Sequence, residues 1–446
     1  MTMPRPPWHT PWLLPFALPC LVACGARTGL GVPDASMDAG PPPALDASED
    51  ASIDAPLDAP LPVDAGPPPP DLCVEVPPRA PPTAVQVSFV SRIVSAEVYF
   101  LVDVTGSMGD EIGQIRDRLL DTIVPGIAAQ IPTVRFSVGR FADYPLDPYG
   151  SQGGGGVPRD DVYRLEQSST DERAAVQRAV ERLALQGGGD VPEAAVEALY
   201  TSAVGRGPGS LVPPRNCPDG TVGYPCFGAD GSRIFLLFTD APFHNGPDGA
   251  EAYGPMLLWR NATYEETTVA LRGIGAKVLG LYSGPRVGFG SEGFDHLRRA
   301  ARDTGAVRVD GSPIVFDIGA GGESLGADVV EAVRTLVEEV PIDVDALTED
   351  VPGDALDATA FVTGVVAVAA SPPDGAVVLG DRFGAVRPGT QVTFSIQLAN
   401  ERIERTSEPQ VYRMRIVLRG DGVTRLSETL VEVVVPSADG RGCPGA

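Results

Sequence analysis

The middle of the chain combines continuous apolar runs with apolar residues at helical spacing. The runs at residues 98–102 and 234–238 predict strands that are buried on both faces. Further strands are predicted at 277–282 and 307–309. Between and after these strands, helical spacing predicts apolar helix faces at Ile112, Ile115, Leu119 and Ile123, at Val176, Val180 and Leu183, and at Leu325, Val329, Val333, Leu336 and Val340. Because strands that alternate with helices indicate a doubly wound, mostly parallel sheet, we predict an α/β, Rossmann-like fold over residues 96–340.

After Pro341 the apolar residues alternate with polar ones along short segments. The alternating residues are Val392, Phe394, Ile396 and Leu398; Tyr412, Met414, Ile416 and Leu418; and Val431, Val433 and Val435. This pattern is typical of half-buried strands and predicts a β-sandwich domain in residues 341–446. Residues 73–95 contain a similar stretch and are predicted to be a leading strand segment. Either this segment shares the sandwich with the C-terminal strands, or the sandwich is a simple appended domain.

Polar side chains follow the two buried strands where each one ends. Asp103, Thr105 and Ser107 come directly after the first strand, and Asp240 follows the second. A glycine-rich loop brings a third acid, Glu193, which we predict to lie in the first turn of a helix. Because the carboxyl ends of parallel strands meet at one edge of a sheet, these acids should gather there and repel one another without a counter-charge. Such oxygen ligands suit a hard cation such as Mg²⁺, although Asp, Gly and Ser are also common turn residues.

These segments resemble a von Willebrand factor type A (vWA) domain with its metal-ion-dependent adhesion site, and most of all the I-like domain of integrin β subunits, over most of residues 96–340. The first loop of that family reads Asp-x-Ser-x-Ser, from which Thr105 is a conservative departure. Glu193 stands in a loop where ordinary A domains use a Thr. The resemblance implies a Mg²⁺ or Mn²⁺ ion held by Asp103, Thr105, Ser107, Glu193 and Asp240. It also implies that an Asp or Glu of a protein partner completes the coordination shell.

The resemblance to integrin β subunits extends to further cations. Asp110 and Glu111 match the positions where that family holds an adjacent regulatory cation. Asp143 and Asp190 match residues of another ion site, for which we expect Ca²⁺. An Asn of that site is replaced by Gly188 in this chain. The alternative is that Asp143 and Asp190 only cap or brace loops.

Residues 1–24 resemble a bacterial lipoprotein signal. Arg5 precedes a short apolar stretch, and Leu21-Val22-Ala23-Cys24 resembles a lipobox whose cysteine becomes acylated. The stretch is too short and too interrupted by proline to span a membrane. We therefore predict a protein of the bacterial cell envelope with a lipid anchor at Cys24, and a plain secretory signal is the alternative. Gly25 follows the cysteine, without the Asp that often retains lipoproteins in the inner membrane, which favours the outer membrane.

Residues 25–72 consist largely of Asp-Ala and Pro repeats. Arg27 is the only basic residue of this segment, whereas acidic residues recur throughout it. Such a composition cannot bury an apolar core, so we predict a disordered, self-repelling linker. The whole chain has a formal net charge of −25 and no evident basic patch, which argues against a nucleic-acid partner.

Cysteine usage agrees with export. If Cys20 leaves with the signal and Cys24 is acylated, an even number of cysteines remains, as disulfides require. The remaining residues are Cys73, Cys217, Cys226 and Cys443. A bridge between the middle two would order an insertion at residues 205–232, and a bridge between the outer two would join the ends of the folded region. No Cys-x-x-Cys spacing accompanies them, which disfavours a zinc site built from these cysteines.

We predict a cell-surface lipoprotein that binds a protein partner through its cation and is not an enzyme. A structural or assembly lipoprotein whose metal at most stabilises the fold is the first alternative. A metal-dependent hydrolase is the second, with His244 as the suggestive base, but no Walker loop, zinc triad or Ser-His-Asp arrangement supports it. We predict that residues 144–158 and the insertion 205–232 form the rim that selects the partner.

Overall fold

A computed structural model describes residues 70–444, so Cys24 and nearly all of the predicted linker lie outside the described residues. The strands are β1 (Leu72–Glu75), β2 (Thr83–Val90), β3 (Ser95–Asp103), β4 (Thr133–Phe141), β5 (Gln152–Gly154), β6 (Val157–Arg159), β7 (Arg164–Thr170), β8 (Ser232–Thr239), β9 (Ala276–Tyr282), β10 (Val315–Asp317), β11 (Ile342–Asp350), β12 (Val362–Ser371), β13 (Val377–Val378), β14 (Arg382–Val386), β15 (Gln391–Leu398), β16 (Gln410–Gly420) and β17 (Thr424–Val435). The helices are α1 (Gly109–Arg118), α2 (Val124–Gln130), α3 (Arg173–Glu181), α4 (Ala195–Val204), α5 (Tyr264–Gly273), α6 (Glu292–Asp303) and α7 (Leu325–Glu339). A π-helical turn at Leu119–Ile123 joins the first two helices. No helix within residues 70–444 combines the length and the apolar character that a membrane span requires.

Six strands form the central sheet in the order β10-β9-β8-β3-β4-β7. The pairs from β10 to β4 are parallel, and β7 pairs antiparallel with β4 at the edge. Alternate side chains of β3 enter two apolar cores: Val98, Phe100 and Val102 on one face, and Tyr99 and Leu101 on the other. Because both faces are covered by helices, this strand is apolar at consecutive positions. This part of the molecule is therefore a mixed α/β fold around a mostly parallel sheet, as the alternating pattern predicts.

The outermost parallel strand is β10, and the strand predicted at 307–309 is absent. Val309 is 54% exposed, and Arg308 N donates to Ser312 O at 2.9 Å. These contacts close a turn in place of a strand. Pairing with β9 begins only at Val315, so the short apolar stretch was a wrong indication of sheet structure.

Two further sheets contain the remaining strands outside the small β5–β6 hairpin. One has the order β1-β17-β16-β11-β14-β13, and the other has the order β12-β15-β2. Their strands pair antiparallel except for β1 and β17. The two sheets share one apolar core, which includes Val87 of β2 and Phe394 of β15 from the smaller sheet and Met414 and Ile416 of β16 from the larger one. Strands that precede the α/β region therefore hydrogen-bond in the same sheets as strands that follow it.

Two disulfides close loops within the described chain. Cys73 is bonded to Cys443, with 5.9 Å between their Cα atoms, and Cys217 is bonded to Cys226, with 5.4 Å. The first pair is separated by 370 positions and joins the two ends of the described region. The second pair lies in the segment that connects α4 to β8.

Candidate metal centre

The neighbouring strands β3 and β8 run in parallel and end at the same edge of the sheet. Asp103 is the last residue of β3, and Asp240 follows directly after β8. The buried Asp103 carboxylate accepts hydrogen bonds from Thr105 N (2.9 Å) and Thr105 Oγ1 (2.7 Å) at Oδ1. Thr239 Oγ1 donates to its Oδ2 at 2.7 Å. These bonds fix the carboxylate between the two strand ends.

Glu193 reaches this edge from the glycine-rich loop 187–189. Glu193 N donates to Pro242 O, and His244 N donates to Glu193 O, both at 2.9 Å. Glu193 therefore pairs with the segment that follows β8. Glu193 itself lies just before α4. The prediction that it lies in the first helical turn was wrong, because this backbone pairing delays the start of the helix to Ala195.

Gly188 leaves room for the Glu193 carboxylate. Its φ of +68° lies in the left-handed region that glycine adopts without a steric penalty. A Cβ atom at this position would lie 3.1 Å from Glu193 Oε1 and 3.5 Å from Thr105 Cγ2. Glu193 and Thr105 therefore approach the same part of the loop. Glu193 is only 4% exposed, and its Oε2 has no hydrogen-bond partner among the described residues.

A buried acid that the sequence did not single out fixes the glycine-rich loop. Asp160 Oδ1 accepts from Gly187 N (2.9 Å), and Asp160 Oδ2 accepts from Gly188 N (3.0 Å) and Ser151 N (2.8 Å). Asp160 thus ties the loop to the segment that leads into the β5–β6 hairpin. No local motif marks such a residue, because its partners are backbone N–H groups that are distant in sequence.

The carboxylates at the sheet edge carry unbalanced negative charge. Burial raises the pKa of Asp103 to about 7, and the charge of Asp240 adds to the rise. Burial also raises the pKa of Glu193 well above its ordinary value, and the charge of Asp103 adds to it. Burial raises the pKa of Asp240, while the Ser107 hydroxyl opposes this rise. No basic side chain within residues 70–444 pairs with these three acids, so the cluster requires protons or a cation.

The donor set at this edge fits a divalent cation. Its carboxylates and hydroxyls supply only oxygen atoms, which hard ions such as Mg²⁺ and Mn²⁺ prefer. Asp103 and Glu193 are buried, Asp240 is partly exposed and Ser107 is exposed, so the edge is open toward solvent. The unpartnered Glu193 Oε2 is a buried atom that such an ion would satisfy. All five predicted ligands, including Thr105, thus lie at one edge of the sheet.

Asp110 and Glu111 lie in the first turn of α1, near the same edge. Glu111 is buried and its Oε2 has no partner among the described residues. Burial raises the pKa of Glu111; the Ser283 hydroxyl opposes the rise, and the charge of Asp240 adds to it. Asp110 is exposed, and its Oδ2 lies 3.9 Å from the position of a Cβ at Gly321. Glu111 therefore approaches the sheet edge, whereas Asp110 points to the loop that precedes α7.

A second group of metal-binding side chains lies close to Glu193. His244 Nε2 is 3.4 Å from Asp143 Oδ2 and 3.3 Å from Asp190 Oδ1. Burial raises the pKa of Asp143 to about 8, and the charge of His244 opposes the rise. Burial lowers the pKa of His244, but the hydrogen bond to Asp190 and the charge of Asp143 outweigh burial and raise it overall. The sequence paired Asp143 with Asp190 and indicated His244 only as a candidate base near Asp240. Its contact with these two acids was missed, because that contact depends on how loops distant in sequence pack.

The predicted rim of the site needs a correction. Residues 144–158 follow Asp143 directly and contain the exposed strand β5. Residues 205–232, predicted as an insertion, run instead toward the opposite edge, where Gly228 N donates to Glu97 Oε1 at 2.9 Å. Glu97 lies about 20 Å before the metal edge along β3, at about 3.3 Å per residue. This segment connects the end of α4 to the start of β8. A helix that crosses over a parallel sheet ends at the edge where the next strand begins.

Comparison with known proteins gives likenesses of low similarity. No family model and no curated protein matches the chain. A solved structure of a von Willebrand factor type A protein from Catenulispora acidiphila has a TM-score of 0.36 and 14% identity, covering 83% of this chain and 72% of that chain. The pilus adhesin SpaC from Lactobacillus rhamnosus GG has a TM-score of 0.34 and 12% identity, covering 80% of this chain and 45% of that chain. Proximal thread matrix protein 1 of the mussel byssus has a TM-score of 0.30 and 13% identity, covering 56% of this chain and 47% of that chain. This chain therefore matches less than half the length of the pilus adhesin and of the byssus protein.

Proposed function

We propose that this protein binds a divalent cation at the edge formed by β3 and β8 and uses it to bind a carboxylate of a protein partner. The ion is Mg²⁺ or Mn²⁺, and its ligands are Asp103, Thr105, Ser107, Glu193 and Asp240. The observation that carries the proposal is the gathering of the buried Asp103 and Glu193 with Asp240 at one edge, without a basic partner among the described residues. A divalent ion is the counter-charge that this donor set suits.

Some residues of the sheet edge hold the ligands of the ion in place, and others leave the ion accessible to a partner. Thr105 and Thr239 hold the Asp103 carboxylate in one orientation through hydrogen bonds. Ser107 is exposed and Asp240 is partly exposed, so a partner approaches from their side. A bound divalent ion supplies the positive charge for which a partner's Asp or Glu is a natural ligand. In this proposal the chain is a vWA-type adhesion protein, most like integrin β I-like domains, and the two antiparallel sheets form an adjacent β-sandwich domain.

The proposed location is the surface of the bacterial outer membrane, with a lipid anchor at Cys24. The disulfides Cys73–Cys443 and Cys217–Cys226 support a location outside the cytoplasm, because disulfides persist in oxidising compartments. The acidic linker 25–72 would hold the folded region away from the lipid surface.

A structural envelope protein is the second candidate. The burial of Asp103 and Glu193 favours it, because an ion held so deeply would also stabilise the fold of a protein that has no carboxylate partner. A metal-dependent hydrolase has less support. His244 is 3% exposed and both of its ring nitrogens lie near acceptor atoms of the protein, so it is poorly placed as a general base.

Selection of peptides from a random display library tests the proposed function. Peptides are selected on the immobilised protein in Mg²⁺ or Mn²⁺ and eluted with EDTA. We expect the eluted peptides to share an Asp or Glu, and replacement of that acid by its amide should abolish binding. The same peptides should fail to bind Asp240→Ala but should bind Asp248→Ala, a control at an exposed acid. Metal-dependent stability without any acid-dependent peptide would favour the structural candidate.

A further inference from the structure

We propose that Asp143, Asp190 and His244 form a second metal site that binds a transition-metal ion of the Zn²⁺ class. One donor atom from each of these residues lies within 4.8 Å of the other two. The site is distinct from the oxygen-only edge of the sheet, and it goes beyond the proposed function because it requires no partner protein.

A backbone hydrogen bond orients the imidazole of His244 toward the two acids. Nδ1 lies 2.7 Å from Glu251 O, and a carbonyl oxygen only accepts, so Nδ1 carries the proton of the neutral ring. Nε2 then presents its lone pair toward Asp143 Oδ2 and Asp190 Oδ1. Three acceptors that face one another are stable only with a cation or a proton between them. A ring nitrogen fixed by a backbone carbonyl is the usual arrangement in metal-binding histidines.

The separations between donor atoms fit a tetrahedral ion better than a shared proton. His244 Nε2 lies 3.4 Å from Asp143 Oδ2 and 3.3 Å from Asp190 Oδ1. Two ligands at about 2.1 Å from a tetrahedral ion are separated by about 3.4 Å. Adjacent ligands of an octahedral ion at the same bond length would be separated by about 3.0 Å. An imidazolium that donates to a carboxylate would approach it to about 2.8 Å.

Asp143 provides a buried atom that points into this site without a partner. Its side chain is fully buried, and Oδ1 accepts from Tyr144 N (2.5 Å) and Tyr253 OH (2.6 Å). Oδ2 has no hydrogen-bond partner among the described residues, although it faces His244. The Tyr253 ring stacks on the His244 ring with 4.1 Å between centroids and covers one side of the site. The Asp190 side chain is 33% exposed, which leaves an open side for a fourth ligand such as water.

The donor set determines the class of metal. One nitrogen and two carboxylate oxygens suit Zn²⁺ and related transition metals, whereas Ca²⁺ and Mg²⁺ prefer oxygen ligands throughout. The Ca²⁺ site expected from the sequence lacks an amide oxygen, because the chain has Gly188 in place of Asn. The imidazole of His244 supplies a nitrogen ligand in this region. With this nitrogen, the donor set of the site favours Zn²⁺ over Ca²⁺.

Zinc uptake by the full-length protein in excess Mg²⁺ tests the proposal. The protein is stripped with EDTA, its free thiols are alkylated so that they do not bind zinc, and Zn²⁺ is titrated against a competing chelator. We expect one Zn²⁺ per chain, and Asp190→Asn should weaken zinc affinity by at least about tenfold. Asp190 is exposed, so this variant removes a ligand with little disturbance of packing. Asp171→Asn, at another exposed acid, is the matched control and should bind zinc like the wild type.

Cobalt substitution reports the geometry of the site independently of affinity. Tetrahedral Co²⁺ absorbs visible light strongly, and octahedral Co²⁺ absorbs it weakly. We expect strong absorption in the wild type and its loss in Asp190→Asn and His244→Gln. Asp103→Ala should lose its Mg²⁺ response and keep the zinc site, so failure of one site can be told from failure of the other.

Two results would overturn the proposal. One is zinc uptake that is unchanged in both Asp190→Asn and His244→Gln, or that is lost only in Asp103→Ala. The other is an absence of zinc uptake by the wild type, which would mean that a proton on His244 Nε2 is the cation between the two acids.

Discussion

Asp103 connects the end of a buried strand to the chemistry of the sheet edge. Its carboxylate is fully buried, is held by Thr105 and Thr239, and lies near the charge of Asp240. In the absence of a metal, ionisation of this group opposes folding, because a buried charge without a counter-charge is unfavourable. The stability of the metal-free protein should therefore fall as the pH rises and Asp103 becomes ionised.

We expect the free energy of unfolding of the metal-free protein to fall as the pH rises from about 4 to about 7. Asp103 has an ordinary pKa of 3.8, and burial together with the charge of Asp240 raises it to about 7 in the folded protein. The folded state therefore binds more protons than the unfolded state in this window, so its stability is greater at the acidic end. Urea denaturation in EDTA at pH 5 and pH 8 measures the difference, and excess Mg²⁺ at pH 8 should restore the lost stability. A pH dependence of equal size in Asp103→Asn would show that another group is responsible.

Gly188→Ala tests the close approach of Glu193 to the glycine-rich loop. We expect the free energy of unfolding to fall by about 1 kcal/mol or more, because alanine is unfavourable in the left-handed backbone conformation. We also expect a weaker stabilisation by Mg²⁺, because the new methyl group would lie 3.1 Å from Glu193 Oε1. Gly155→Ala is the matched control: its φ is +60°, and a Cβ there would meet no atom within 4 Å. The control should lose stability and keep the full Mg²⁺ response. Equal Mg²⁺ responses in both variants would refute the role assigned to Gly188.

The loops that follow the strands bring the site residues together, and the sequence revealed these loops unevenly. Asp103 and Asp240 could be predicted because each one ends a continuous apolar strand, and parallel strands end at one edge. The role of Asp160 and the contact of His244 with Asp143 could not be predicted, because both depend on how loops distant in sequence pack. The prediction of a strand at 307–309 was wrong because a short apolar stretch does not distinguish a strand from a turn.

Asp160→Ala tests whether the glycine-rich loop is held by a side chain outside the metal site. The variant loses three hydrogen bonds from backbone N–H groups to a carboxylate, and we expect a loss of about 2 kcal/mol in the free energy of unfolding. Mg²⁺ affinity should also fall, since Glu193 lies at the end of the same loop. Asp171→Ala, at an exposed acid, is the control and should change stability by less than about 0.5 kcal/mol. An intact Mg²⁺ response in Asp160→Ala would mean that the loop keeps its position without this acid.

At the scale of the whole described region, an α/β part with a mostly parallel sheet is joined to two mostly antiparallel sheets that share one core. The disulfide between Cys73 and Cys443 ties the two ends of this described region. The formal net charge of −25 gives the acidic sheet edge no long-range attraction for an acidic partner, so a bound cation is needed to offset the local negative charge and to coordinate the partner's carboxylate. Metal binding should therefore control both the stability of the fold and its interaction with a carboxylate.

The most direct test of the cation site is the melting temperature of the protein in EDTA, Mg²⁺, Mn²⁺ and Ca²⁺, with Asp103→Ala measured alongside. Free metal at a hundred times its dissociation constant should add about 2.7 kcal/mol to the free energy of unfolding. We predict a rise in melting temperature with Mg²⁺ or Mn²⁺ that is absent in Asp103→Ala. If neither ion raises the melting temperature of the wild type, or if both proteins respond equally, the sheet edge does not hold the ion, and the proposed route to a partner's carboxylate is wrong.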